Sequence, residues 1–173
     1  MSTRLDFATL SLTDALDLAV LIEVEAYKRY QKFVAQLGHR FDGDAASVFS
    51  SMAQNEAKHG KQLEERRKAM FGDAPVRVSL DDLFDVEAPE EGAPRSNMSA
   101  RQAFEIALSS EQKAFDFYNE ALTHVTDPGI HALFTELRDE ETEHIGLVRE
   151  AIANLPAGAD EELDLDKDEA PAL

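Results

Sequence analysis

The chain has 173 residues, 43% of them apolar and 30% charged, with a formal net charge of −18. That length supports one domain with its own core, and that charge sets nucleic acid and anionic membranes aside as partners. The absence of cysteine excludes a disulfide framework, a thiolate nucleophile, a zinc ribbon and a rubredoxin-type iron site.

The N-terminal stretch does not read as a signal peptide, since its longest apolar run is Leu18 to Ile22, between acids. No run approaches the ~20 apolar residues of a membrane span, and we expect a cytoplasmic protein. The first helix is predicted to start at Ser11 or Thr13 and to stop at Gly38, with the stripe Leu16, Val20, Tyr27, Tyr30, Val34 and Leu37. The second starts near Asp44, carries Ala45, Phe49, Met52, Leu63 and Met70, and stops at Gly72. A linker over 73–98, rich in Pro, Glu and Asp, follows; its SLDDLF segment is expected to form one helical turn. The third helix opens at Ser99, with Gln102 completing a capping box, and carries Phe104, Leu108, Phe115, Tyr118, Leu122 and Val125. The fourth opens at Asp127-Pro128 and carries Ile130, Phe134, Leu137, Val148, Ala151 and Leu155 before Pro156. Short first and last connections make two antiparallel hairpins, and the long crossover sets the second and third helices parallel. The expected fold is an all-α four-helix bundle over 1–156. Residues 157–173 hold seven acids and one lysine and read as a disordered tail.

Each stripe is interrupted by ionisable residues at core-facing positions: Glu23 in the first helix, Glu56 and His59 in the second, Glu111 in the third, Glu141 and His144 in the fourth. In the segment DEETEH (139–144), Glu141 and His144 continue the stripe, while Asp139, Glu140 and Glu143 point to solvent. Within each hairpin the groups lie level, roughly 25 Å from their own turn at 1.5 Å per residue. The hairpins also repeat: Glu-x-x-Ala-x-x-x-Tyr at 23–30 matches 111–118, and NEAKH (55–59) matches EETEH (140–144), which suggests duplication. Burying four carboxylates and two imidazoles with nothing between them would be very unfavourable. Two divalent cations resolve this. A Glu on each of two helices with Glu-x-x-His on each of the other two is the dimetal carboxylate pattern of helix bundles, and such oxygen-rich ligation suits iron or manganese better than copper.

These residues resemble the rubrerythrin branch of the ferritin-like di-iron proteins over about 11–155. The resemblance implies two iron ions per chain, with manganese or zinc as possible substitutes. By it, Glu23 and Glu111 would be terminal ligands, Glu56 and Glu141 bridging ligands, and His59 and His144 the nitrogen ligands. The pattern departs at Ala114, where rubrerythrins carry an extra ligand Glu, so the six-residue set looks more like a bacterioferritin ferroxidase centre. A chain without cysteine has no rubredoxin domain, so a separate electron-donor protein is implied. The implied activity is reduction of hydrogen peroxide or O2, as peroxidase or ferroxidase; the alternative is a non-enzymatic iron-binding or storage protein. A homodimer is expected by the same likeness.

Tyr30 and Tyr118 are candidates to orient ligand carboxylates from behind, or are simply core aromatics. Glu25 and the histidines at 39, 124 and 131 read as surface groups, Tyr27 as packing, and Phe115, Phe117 and Phe134 as core. A quinone hydroxylase would need an apolar membrane-facing patch and a tRNA hydroxylase a basic face, and the sequence offers neither.

Overall fold

The structure is a computed structural model that describes residues 6–79 and 86–162. It holds α1 (Leu12–Leu37), α2 (Ala45–Phe71), α3 (Ala100–Ala121) and α4 (Pro128–Ala153), with no strand among the described residues. Each start has a local cause. Ser11 with Asp14, and Ser99 with Gln102, form capping boxes; Asp44 accepts from the Ser47 amide, and Asp127 from those of Gly129 and Ile130. Each such cap stabilises its helix by about 1 kcal/mol. Gly38 and Gly72 end α1 and α2 at φ 65° and 58°, a backbone region costly for other residues.

The core falls into two layers. One joins Leu16 to Ile22 of α1, Leu63 of α2, Phe117 to Ala121 of α3 and Ile130 to Leu137 of α4. The other joins Ala26 to Phe33 of α1, Ala45 to Ala53 of α2, Met98 to Ala107 and Val148 of α4. The start of α1 therefore lies beside the start of α4, and the start of α2 beside the start of α3. This is the expected ferritin-like bundle of two antiparallel hairpins, with α2 and α3 parallel and the crossover running the bundle's length. The ionisable residues lie between the two layers.

Three expectations about the stripes are corrected. Met70 is 50% exposed, because α2 extends past the core at its C-terminal end. In α3 the buried line is Ala103, Ala107, Ala114, Phe117, Tyr118 and Ala121, while Phe104, Leu108 and Phe115 lie on its flanks. Small residues let α3 approach its neighbours closely, which leaves the larger ones at the groove edges. In α1, Ile22, Ala26 and Phe33 are buried where Val20, Tyr27 and Val34 are only half-buried.

The crossover is anchored at both ends. Arg67 of α2 pairs with buried Asp17 of α1 at 2.7 and 3.2 Å and donates to the carbonyls of Gly72 and Ala74. Further on, residues 86–89 are buried. The Lys113 ammonium donates to the Ala88 carbonyl at 2.7 Å and the Arg29 guanidinium to the Pro89 carbonyl at 2.6 Å. Of the predicted turn SLDDLF, positions 80–84 lie outside the described residues. The start of the acidic tail is held rather than free: Arg101 donates its amide to the Ala159 carbonyl and pairs with Asp160, and Glu162 accepts from Asn97 and Gln102.

Candidate metal centre

All six sequence-selected residues meet at one level of the bundle. Glu23, Glu56, Glu111 and Glu141 are 2–4% exposed. His59 and His144 complete the set with side chains 22% exposed, so the two imidazoles form its outer edge. Each hairpin supplies one triad. Ligand atoms of Glu23, Glu56 and His59 lie within 4.8 Å of one another, as do those of Glu111, Glu141 and His144, and each triad could hold a metal ion. The two rings stack with centroids 4.6 Å apart and planes 3° from parallel. As read from the sequence, Asp139, Glu140 and Glu143 are exposed.

Close helix approach makes this level possible. Gly60 follows His59, and a Cβ there would meet the Cβ of Glu23 at 3.3 Å, tighter than ordinary contact. A glycine inside a helix costs about 1 kcal/mol relative to alanine. At this position it lets α1 and α2 close on the carboxylates.

One residue was not found in the sequence. Glu87, in the crossover, is 2% exposed and enters the same layer. It lies within ligand distance of Glu23 and Glu141, and of Glu56 and Glu111, thus facing both hairpins. The sequence does not single it out: in DVEAPEE (85–91), Glu87 lies between Val86 and Ala88, but Asp85 likewise lies between Phe84 and Val86.

The electrostatics register the crowding. Burial, and then the Glu87 charge, push Glu23 well above the usual carboxylate range. Burial and the charges of Glu23 and Glu111 raise Glu56, and burial with the charges of Glu56, Glu141 and Glu111 raises Glu87. Glu141 is raised by burial, against a lowering contact from His144, to about 7. Burial and the neighbouring His144 lower His59 to about 4. Burial opposes charge on His144 too, but its contacts at 3.4 Å with Glu111 and with Glu141 outweigh this and raise it to about 10.

The donor chemistry fits a pair of hard cations. One buried oxygen on each of Glu23, Glu56, Glu87, Glu111 and Glu141 has no hydrogen-bond partner. Unsatisfied buried carboxylate oxygens are rare in folded proteins, and cation ligation would satisfy the five that converge on one layer. Carboxylates with one imidazole per ion suit iron or manganese. Tyr30 and Tyr118 are fully buried with unpartnered hydroxyls. Burial and, after it, the charge of Glu111 push the Tyr30 hydroxyl up, and burial and the charge of Glu23 push that of Tyr118 up.

A small pocket of about 150 Å³ reaches His59 between α2 and α4, lined by Gln62, Leu63, Arg66, Glu136, Leu137 and Glu140. Arg66 and Glu136 join across it at 2.9 Å. A larger apolar pocket of about 460 Å³ at the α2 start shares no residue with the site. Among the described residues, no helix is long and apolar enough to cross a membrane.

The family model described as Rubrerythrin matches residues 14–152. Among solved structures, the chain is similar to an uncharacterised conserved protein from Magnetospirillum magnetotacticum MS-1. The identity is 25% and the TM-score 0.65, over 85% of this chain and 97% of that one. A hypothetical protein from Pyrococcus furiosus shares the fold at 19% identity and a TM-score of 0.54, over 83% and 89% of the two chains. Comparison with curated proteins finds no match.

Proposed function

The chain belongs to the rubrerythrin family, and from that premise we propose that it is a non-haem di-iron oxidoreductase that reduces hydrogen peroxide or O2. The observation that carries this reading is the convergence of four buried helical carboxylates, each with an unpartnered oxygen, and two imidazoles at one level. Glu23, Glu56 and His59 would hold one ion, and Glu111, Glu141 and His144 the other. Two bound irons would supply one electron each, matching the two electrons and two protons that convert peroxide into two waters.

The protein's part is to hold, balance and shield. Four ionised carboxylates match the charge of two divalent ions. The apolar layers on either side keep bulk water from the carboxylates, and the imidazole edge leaves one side open. The pocket beside His59 suits a reagent the size of peroxide or O2 and not a bulky organic substrate. Tyr30 and Tyr118, whose buried hydroxyls have no hydrogen-bond partner, would orient ligand carboxylates once metal is bound. With no cysteine in the chain, electrons would come from a separate donor protein.

The test is metal content of protein purified without chelator, then anaerobic Fe(II) loading and stopped-flow mixing with peroxide or O2. Two irons per chain oxidised faster by peroxide than by O2 is the peroxidase result. Faster oxidation by O2 makes it a ferroxidase, and a large iron-filled particle makes it a storage protein. Failure to bind metal would end the reading.

A further inference from the structure

The crossover does more than connect the hairpins. Its buried stretch, residues 86–89, brings Glu87 into the layer of the six helical residues. Three observations single this glutamate out. It is 2% exposed although it belongs to an irregular segment, where acids are ordinarily solvated. One of its oxygens is buried without a hydrogen-bond partner. Its ligand atoms reach both cross-hairpin pairs, Glu23 with Glu141 and Glu56 with Glu111, whereas each of the two histidine-containing triads stays within one hairpin. The backbone beside it is gripped from two helices, by Lys113 at the Ala88 carbonyl and by Arg29 at the Pro89 carbonyl. Chain in an irregular segment that buries a carboxylate and is pinned immediately after it is built to hold that carboxylate in place.

We propose that Glu87 is a fifth carboxylate ligand of the dimetal centre, delivered by the crossover and shared between the two ions. This rests on the dimetal reading above and adds a seventh ligand to it. Two consequences follow from chemistry alone. Four carboxylates already balance two divalent ions, so an ionised fifth leaves one negative charge over, which favours the more oxidised pair. Because the ligand sits on the crossover, metal binding ties that segment to the bundle, and loss of metal loosens residues 86–89.

The test is titration of the metal-free full chain with Co(II), followed by its visible absorption, in the wild type and in Glu87→Gln, Glu87→Ala and Glu90→Gln. Glu90 is an exposed acid on the same segment and serves as the control. The expected result is two Co(II) per wild-type chain and at least about tenfold weaker binding with an altered spectrum in both Glu87 variants. Glu90→Gln should match the wild type. Thermal melting of the metal-free proteins separates a ligand from a structural prop. Relieving the crowding of five buried carboxylates should raise the melting temperature of Glu87→Gln, while its metal binding falls. Wild-type affinity and spectrum in the Glu87 variants would overturn the proposal, and so would weaker binding accompanied by a lower metal-free melting temperature. If the wild type itself binds no Co(II), the dimetal reading fails and this inference with it; binding by the wild type and unchanged binding by the variants defeats the Glu87 ligand alone.

Discussion

His59 of the first hairpin and His144 of the second occupy matching places in a repeated motif, and their rings lie parallel, 4.6 Å apart. Their surroundings nevertheless push them in opposite directions. His144 contacts two carboxylates at 3.4 Å and is raised to about 10, whereas His59 meets Glu23 only at 3.9 Å and is lowered to about 4. Two stacked imidazoles among carboxylates do not both charge easily, and the closer acids favour the charge on His144. A repeated motif therefore gives matching side chains but not matching electrostatics. Metal binding, which requires neutral imidazoles and ionised carboxylates, should largely erase the difference.

The strongest way to break the comparison is to remove one imidazole at a time. If the hairpins are equivalent toward metal, His59→Ala and His144→Ala each lower the bound metal from two ions to one, read by elemental analysis. Loss of both ions in one variant only would show that the hairpins bind in order rather than alike. Without metal, the same variants should diverge. His144→Ala leaves Glu111 and Glu141 without their cation and should cost about 1–3 kcal/mol in urea unfolding, while His59→Ala should cost less than about 1 kcal/mol. Equal losses would contradict the asymmetry.

Melting of the metal-free protein against pH sharpens it further. The folded value of His144, about 10, exceeds its ordinary 6.5, so its contribution is complete below pH 6.5 and lost as pH rises through 10. Glu141, raised from 4.5 to about 7, acts in the same sense over a lower window. His59, lowered from 6.5 to about 4, acts in the opposite sense: its contribution is present above pH 6.5 and lost as pH falls through 4. The melting temperature should thus decline from neutral pH toward 10. His144→Ala should flatten that alkaline limb, and His59→Ala should raise the acid limb.

The smallest effects concern glycines near the two histidines. Gly146 lies in α4 with open space around its missing Cβ, so Gly146→Ala should stabilise by about 0.5–1 kcal/mol through helix propensity. Gly60→Ala gains the same propensity but meets Glu23, and should be neutral or destabilising with weaker metal binding. A gain at both positions would mean that α1 and α2 do not close on the site as tightly as described.

Much of the fold was legible because its causes are local. Ser11, Asp44, Ser99 and Asp127 cap in place, glycines at positive φ end α1 and α2, and the three-four spacing put six ionisable residues on inward faces. The inward face of α3 is not legible in this way: Phe104, Leu108 and Phe115 are only half-buried, because side-chain size does not say which face a tightly packed helix turns inward. Alanines won that face by allowing close approach.

The sequence by itself determined the helices, their pairing, the level at which the hairpins match and the six residues that meet there, since periodicity and loop length act within a segment. Tertiary structure alone decided that Glu87 joins them and that His59 and His144 differ. An irregular crossover has no period to reveal which acid turns inward; Arg29 and Lys113, on helices far away in the chain, fix that choice. The difference between the two imidazoles likewise follows side-chain distances within each hairpin, which a repeated motif does not encode.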